Sequence, residues 1–283
     1  MADNPNPDMD VMQPAKPAKK KGIKRRFFLV GSALLVGGGA FGLYWGDSSA
    51  AARAKALTET GKDHNFLSWM KIAEDDTVTL YSPHIDFGQG SHTALAQMLA
   101  DELDADWSKV KVEQAPADVA FANTALGKGF LAEMSGAPGV INALPIALIS
   151  MIARSMPLQI TGGSSAIRYT GQVGMRTVGA SVRSALVAEA ADRLGVPESE
   201  LTTADSKVIH AKSGKSLRYG ELAAGAAERS LPGSPALKNP QDFKLIGKPI
   251  VRMDIPAKVD GSARYGIDFT LPDMRVATIA AAP

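Results

Sequence analysis

The chain has 283 residues, of which 45% are apolar and 21% are charged, and it contains no cysteine. This composition predicts one large or two modest folded domains and excludes disordered and collagen-like chains. The lack of cysteine excludes disulfides, thiolate catalysis and iron–sulfur ligation by this chain.

Positive charge is concentrated at the N-terminus. Seven of the 31 Lys and Arg residues lie in residues 1–26 with three Asp, a local charge of +4, whereas the whole chain carries +2. The remaining chain is therefore about −2, and nucleic-acid binding would need a basic face on the folded domain. We expect no nucleic-acid partner. The four histidines lack the paired spacing of a metal site, so no metal ligand is predicted.

The first 46 residues have the composition of a targeting segment. Residues 1–26 are rich in Pro, Ala and Lys, which predicts a disordered basic tail. Residues 27–46 open with nineteen uncharged positions, close to the length of a membrane span, and predict a transmembrane anchor or a signal h-region. Arg25 and Arg26 before this weakly apolar stretch resemble a twin-arginine export signal, and a simple signal anchor is the alternative. Both predict an inner-membrane protein that faces the periplasm, or export to the periplasm.

The next segment predicts the element order ββαβ. Alternating apolar residues over 69–73 and 77–82, separated by an acidic turn, predict a β-hairpin. Residues 93–103 predict a helix that buries Leu95, Met98, Leu99 and Leu103 on one face. Alternation over 107–113 predicts a further strand.

The middle of the chain predicts mainly helices. The apolar run 140–152 predicts a buried helix, since it is too short to cross a bilayer, and contact with a membrane surface beside the N-terminal anchor is the alternative. Residues 172–194 predict a long helix that buries Val178, Val182, Leu186, Val187 and Ala190. A second hairpin is predicted around 212–214, followed by a helix over 219–227.

Prolines at 232, 235 and 240 predict a linker and a domain boundary near residue 240. Beyond it, residues 243–283 contain strand-like pieces and turns.

The loop Gly88-Gln89-Gly90 stands between a predicted strand and a predicted helix. Glycines let the backbone approach a ligand closely, and a helix start adds partial positive charge, so free N–H groups there suit an anionic cofactor tail. Gln89 has a donor and an acceptor for a polar cofactor ring, and Thr93 lies near the helix cap. The alternative is an ordinary strand-to-helix turn with Gln89 exposed.

A second glycine loop, Thr161-Gly162-Gly163-Ser164-Ser165, has the same character because its amides and hydroxyls offer donors without bulk. Arg176 and Arg183 lie seven residues apart on one face of the following helix, with Gly179 between them permitting close packing. The alternative interpretation is helix capping plus surface arginines.

Five segments together carry a family resemblance: 69–72, 82–90, 100–107, 161–165 and 219–223. They resemble the molybdenum subunit of the xanthine dehydrogenase/aldehyde oxidase family, nearest to isoquinoline 1-oxidoreductase beta subunits and membrane-bound aldehyde dehydrogenases. The resemblance implies an α+β fold, in which a mixed-sheet molybdopterin-binding domain over residues 60–240 precedes the start of an α/β hammerhead domain over 243–283.

The resemblance also implies the cofactor and its contacts. The cofactor would be molybdopterin with molybdenum, in the cytosine dinucleotide form. The cofactor-binding residues would be Gly88, Gln89, Gly90, Thr93, Gly162, Gly163, Ser164 and Ser165. The glutamate that acts as base in the family belongs to a region absent here, so the catalytic residue is unknown and the enzyme is incomplete in this chain.

The activity implied by the resemblance is that of a molybdopterin-dependent oxidoreductase. It would oxidise an aldehyde or an N-heterocycle with water as the oxygen source. Electrons would pass to a 2Fe-2S small subunit and then to a cytochrome c subunit or quinone of the respiratory chain. The alternative is a non-catalytic membrane-anchored scaffold or a truncated subunit of such a complex.

Overall fold

The computed structural model describes residues 48–58, 61, 63–144, 146–156 and 158–280. The predicted tail and the predicted anchor at 27–46 lie outside these residues. Within the described part, no helix combines the length and apolar character needed to cross a bilayer.

The described elements alternate between short strands and helices. The strands are β1 His64–Phe66, β2 Met70–Ile72, β3 Val78–Ser82, β4 Val110–Gln114, β5 Leu201–Ala204, β6 Lys207–His210 and β7 Lys215–Arg218. The α-helices are α1 Ser48–Thr58, α2 Ser91–Leu103, α3 Thr124–Met134, α4 Pro138–Ala143, α5 Ile146–Ser155, α6 Arg176–Leu194, α7 Tyr219–Ala227 and α8 Ile255–Val259. A π-helical segment, Ala166–Met175, leads directly into α6.

Two sheets organise the fold. In the first, β1, β2 and β3 are antiparallel neighbours and β4 joins β3 in parallel, with α2 as the crossover. In the second, β5, β6 and β7 form an antiparallel meander. The mixed α/β architecture agrees with the predicted α+β class. All five residues of β3 are buried, as expected for an inner strand covered by helices.

Both predicted hairpins are confirmed. Ile72 pairs with Val78 across the first turn, and His210 pairs with Lys215 across the second. The predicted helix after the first glycine loop is confirmed as α2, and its four predicted core residues are buried. The expected strand over 107–113 is shorter, because Asp106 accepts the N–H of Ser108 and caps a 3₁₀ turn, so β4 begins only at Val110.

The single buried helix predicted over 140–152 is wrong. The run divides into α4 and α5, and Leu144 before Pro145 is extended because proline disfavours a helical conformation in the preceding residue. Ile149 is fully buried, whereas Val140 and Met151 are each 62% exposed. The amphipathic period therefore buries one face of α5 and leaves the other uncovered.

The helix predicted over 172–194 begins earlier than expected. The π-helical segment starts at Ala166, and its Gly171 lies against Met98 of α2, where a Cβ would be 2.3 Å from the sulfur. Four of the five predicted core residues are buried, and Val187 is half-buried.

The Tyr219-Gly220-Glu221 motif starts α7 and joins three elements. The Tyr219 hydroxyl donates to the Leu103 carbonyl at the end of α2 (2.6 Å). A Cβ on Gly220 would lie 2.4 Å from the Glu74 carbonyl oxygen, so this position has no room for a side chain. The motif is therefore used for packing.

Residues 232–254, which we call the strap, run back along α2 from its C-terminal end to its N-terminal end. Lys238 N–H donates to Glu102, Leu245 carbonyl accepts from Gln97, and Met253 N–H donates to Thr93. The predicted boundary near residue 240 falls within the strap. The strand-like pieces predicted after 243 are not strands: residues 243–280 form turns and short helices, since no neighbouring backbone pairs with them in the described chain.

Candidate functional site

The first glycine loop is held by its own aspartate. Asp86 accepts the backbone N–H groups of Gly88 (2.9 Å), Gly90 (3.3 Å) and His92 (3.0 Å). Gly88 and Gly90 have φ values of 125° and 82°, which non-glycine residues rarely adopt. The anion at the start of α2 is thus the Asp86 carboxylate.

This arrangement corrects the expectation that the loop presents these N–H groups to a ligand. Burial raises the pKa of Asp86, but hydrogen bonds from His92, Gly88 and Gly90 outweigh it, and the pKa is lowered. The charged carboxylate therefore remains in place at neutral pH. An Asp two residues before a glycine is typical of an Asx turn, and this spacing could have revealed the role of Asp86.

Gln89 joins the two predicted loops. Its side-chain Nε2 donates to the Thr161 hydroxyl and to the Gly162 carbonyl, both at 3.2 Å. The same amide donates to the Ile85 carbonyl (2.8 Å), and its Oε1 accepts the Phe87 N–H (2.9 Å). Segments more than 70 residues apart in sequence are therefore brought side by side. Gln89 is solvent-exposed, but its amide is already hydrogen-bonded within the protein.

The second loop borders both buried and open space. A Cβ on Gly162 would lie 3.2 Å from His84 Nδ1, whereas a Cβ on Gly163 would meet no atom within 4 Å. Ser164 is exposed and Ser165 half-buried at the first turn before the π-helical segment. Gly88 has the same open surroundings as Gly163. Each loop thus has one glycine, Gly88 or Gly163, that borders open space and has polar groups beside it.

The buried His84 side chain fixes the position of the two loops relative to each other. The ring is fully buried, and its Nδ1 lies 2.9 Å from the Ile160 carbonyl. A carbonyl only accepts, so Nδ1 carries the proton and Nε2 is the acceptor for the Thr170 hydroxyl at 2.8 Å. The Asn123 amide donates to that same hydroxyl (2.8 Å). Burial lowers the pKa of His84, and the nearby His92 acts in the same direction.

Thr93, in the first turn of α2, lies under the strap. It is 7% exposed and its hydroxyl accepts the Met253 N–H at 3.1 Å. Arg252 donates to the Gly88 carbonyl and pairs with Asp254. A cavity of about 510 Å³ opens here, lined by Asp86, Phe87, His92, Thr93, Val112, Met253, Asp254, Lys258, Arg264 and Tyr265. The Thr93 hydroxyl therefore holds the strap beside this cavity.

The two arginines after the second loop are not surface residues. Arg176 pairs with buried Glu102 at 2.7 Å, and Arg183 lies 3.7 Å from Asp104. Gly179 between them contacts α2 closely, since a Cβ there would be 2.5 Å from the Leu99 carbonyl oxygen. The predicted shared face and close packing are confirmed, and the surface position that the alternative expected for the arginines is wrong because both side chains bind the acidic end of α2.

Sequence reasoning missed His84, Asn123, Thr170 and Arg252, which lie in four separate segments. No local spacing links them, because each contact spans at least 39 residues. Within the described ranges, no group of three or more His, Cys, Asp or Glu side chains is placed to hold a metal ion. The polar donors around the loops are hydroxyls and amides, which suit an organic cofactor.

Comparisons with known proteins bear directly on this domain. A family model for the molybdopterin cofactor-binding domain matches residues 37–129, which include the first glycine loop. The chain is 31% identical over 313 aligned positions to the beta subunit of isoquinoline 1-oxidoreductase from Brevundimonas diminuta, covering 97% of this chain and 35% of that protein.

Two further relatives have a similar level of identity. A nicotinate dehydrogenase subunit from Pseudomonas putida is 30% identical over 222 positions, 78% of this chain and 16% of that protein. A membrane-bound aldehyde dehydrogenase of Gluconacetobacter polyoxogenes, with pyrroloquinoline quinone in its name, is 31% identical over 212 positions, 73% of this chain and 22% of that protein.

These matches define a cofactor-binding domain of an oxidoreductase class. By these matches the chain is similar to molybdopterin-binding subunits of the xanthine dehydrogenase family. It spans about a third of the length of the first relative and less of the other two.

Proposed function

We propose that this chain is a cofactor-binding part of a molybdenum-dependent hydroxylase that oxidises an aldehyde or an N-heterocycle with water as the oxygen source. The bridge from Gln89 to Thr161 and Gly162 is the observation that carries the proposal. It brings together two glycine loops that sequence reasoning assigned separately to one cofactor.

The residues present fit an organic cofactor of this kind. Gly88 and Gly163 leave room for close approach, and Ser164 and Ser165 supply hydroxyls beside that space. Molybdopterin with molybdenum would supply the redox chemistry when bound. In our proposal the two loops bind and orient the pterin, while Asp86 and His84 hold the loops in position. We assign no catalytic base to this chain.

Partner subunits follow from the chemistry of the chain. This chain has no cysteine with which to ligate an iron–sulfur cluster. We propose a 2Fe-2S small subunit as the electron acceptor, with a cytochrome c subunit or quinone beyond it. Residues 27–46 would anchor the complex in the inner membrane facing the periplasm, and residues 243–283 would begin an α/β hammerhead domain.

A non-catalytic scaffold is the second candidate, and one observation favours it. The N–H groups of Gly88 and Gly90, and both ends of the Gln89 amide, are already hydrogen-bonded within the protein. Such a loop is stable without any ligand. The two candidate functions differ in whether a cofactor occupies the open space beside Gly163.

A pair of glycine variants tests this difference. Gly163→Val fills the open space at the proposed site, and Gly139→Val is the matched control, because neither glycine has a left-handed conformation or an atom near its Cβ position. Each variant is made in the full-length protein and purified with its partner subunits. Molybdenum is then measured by mass spectrometry and pterin by fluorescence after oxidation.

We expect Gly163→Val to lose most of the molybdenum and pterin while Gly139→Val retains the wild-type content. Equal content in both variants, or wild-type protein without either component, contradicts the cofactor proposal and supports the scaffold. Pyrroloquinoline quinone in place of pterin would also contradict it. Release of cytidine monophosphate on phosphodiesterase treatment supports the cytosine dinucleotide form, and any other nucleotide rejects that form.

A further inference from the structure

The segment from the end of α3 through α4 and α5 exposes an unusually apolar surface. Five large apolar side chains are prominent on residues 134–156, and we call them the apolar patch: Met134 (85% exposed), Val140 (62%), Leu148 (38%), Met151 (62%) and Met156 (65%). Soluble proteins rarely leave such groups of apolar side chains uncovered without an interaction partner. The opposite face of α5 is firmly packed, with Ile149 and Ala153 buried.

The charge of this segment is equally unusual. Residues 134–160 contain one charged residue, Arg154, in 27 positions, whereas the chain-wide fraction of 21% would give about six. They contain no Trp, Tyr or Phe. A segment with so little charge suits a partner that offers apolar contacts in place of ion pairs.

The position of the patch identifies that partner. The C-terminal end of α5 is tied to the 116–123 turn, because Gln159 accepts the Asp118 N–H and Leu158 accepts the Asn123 N–H. The same turn holds α1, since Arg53 makes a bidentate ion pair with Asp118. Helix α1 begins at Ser48, two residues after the uncharged stretch 27–46 ends.

We propose that the apolar patch rests on the surface of the lipid bilayer in which residues 27–46 are anchored. Amphipathic helices of this kind lie in the plane of the interface, with the apolar face about 5–10 Å into the headgroup and acyl boundary. The contact would orient the domain beside the membrane as a second attachment. This inference rests on the membrane anchor proposed for residues 27–46, and it does not depend on which cofactor the glycine loops bind.

Single-cysteine labelling tests the contact directly, because the native chain contains no cysteine. Met151→Cys places a probe in the patch, and Val259→Cys is the matched control, since Val259 is an exposed apolar residue (81%) on α8. The full chain carrying each change is labelled with the fluorophore NBD. It is then reconstituted in vesicles of phosphatidylethanolamine and phosphatidylglycerol, and circular dichroism checks that both variants fold.

We expect the Met151→Cys probe to shift to the blue, to lose emission with doxyl-labelled lipid and to resist iodide in the aqueous phase. The Val259→Cys probe should respond to iodide alone. Iodide quenching of the Met151→Cys probe would overturn the proposal. Protection from both quenchers would overturn it as well, because the patch would then be covered by protein, either a second copy or another part of the complex.

Discussion

The two ends of α2 both hold buried carboxylates, but with different partners. At the N-terminal end, Asp86 gathers three backbone N–H groups of a loop that borders open space. At the C-terminal end, Asp101, Glu102 and Asp104 are at most 9% exposed and bind Lys238, Lys244 and Arg176. A helix C-terminus disfavours negative charge, so this end requires cations for compensation.

This difference indicates a structural role for the C-terminal end of α2 and a ligand-related role for its N-terminal end. Asp101 accepts the N–H groups of Lys244, Leu245 and Ile246, which fixes the strap against the helix. Burial raises the pKa of Asp101, but these three N–H groups and the Lys238 ammonium outweigh it and the pKa is lowered. At the other end, Asp86 holds a short loop and the first turn of α2, and Arg252 of the strap lies 3.8 Å from its carboxylate. We therefore expect the C-terminal end to carry more of the stability and the N-terminal end more of the ligand response.

Asp101→Ala should have the largest effect. It removes the acceptor of three N–H groups of the strap and one of the two carboxylates that bind the Lys238 ammonium, and we expect a loss of about 3–5 kcal/mol in the free energy of unfolding. Urea denaturation measures this loss. The control is Asp192→Ala, whose ion pair with Arg229 is solvent-exposed and should leave the unfolding midpoint unchanged. Equal unfolding midpoints for the two variants would refute the importance assigned to the buried carboxylates at the C-terminal end of α2.

Gly179→Ala should come next. The new Cβ would be 2.5 Å from the Leu99 carbonyl oxygen, so α6 and α2 must move apart, at a cost of up to about 3 kcal/mol. Gly139→Ala in open space is the comparison, and it should be neutral or slightly stabilising because alanine favours helices. Thermal unfolding distinguishes the two. A destabilised Gly139→Ala with an unaffected Gly179→Ala would contradict the packing argument.

Asp86→Asn should destabilise the protein by about 1–2 kcal/mol, because a neutral amide is a weaker acceptor at the start of a helix. The stability loss should be smaller than that of Asp101→Ala, while the loss of bound molybdenum should be greater. Denaturation and metal analysis on the same preparations measure both quantities. The reverse order in either measurement would contradict the different roles that we assign to the two ends of α2.

His84→Asn should change the pH dependence rather than the maximum stability. Because burial lowers the pKa of His84 in the folded state, the unfolded chain binds the proton first as pH falls below about 6.5. Wild-type stability should therefore decrease by at most about 1 kcal/mol between pH 6.5 and 5.5 from this group. Asn retains a donor for the Ile160 carbonyl and does not titrate. Parallel stability curves for the two proteins would disprove this role.

Local patterns predicted the elements well where one face is buried. The hairpin turn at Glu74 and the spacing of Leu95, Leu99 and Leu103 each follow from contacts within a few residues, so periodicity was sufficient. The 140–152 run was mispredicted because apolar composition alone does not reveal whether a neighbouring element covers a helix. Leu148 and Ile149 are adjacent and both apolar, yet only Ile149 is covered.

The candidate site was predicted in part. Both glycine loops were identified because their composition is local, and the tertiary structure places them together through Gln89. Whether they bind a cofactor stays a prediction. The roles of Asp86 and Thr93 differ from expectation: the carboxylate takes the loop N–H groups, and the Thr93 hydroxyl binds the strap.

The sequence by itself determined the two hairpins, the positions of the turns and the two glycine loops, because these depend on interactions between near neighbours in the chain. The class of fold followed from the family resemblance. Only the tertiary structure decided that His84, Asn123 and Thr170 form one buried network, that the strap follows α2, and that one face of α5 stays uncovered. Such contacts join residues tens of positions apart, and their formation depends on how whole elements pack.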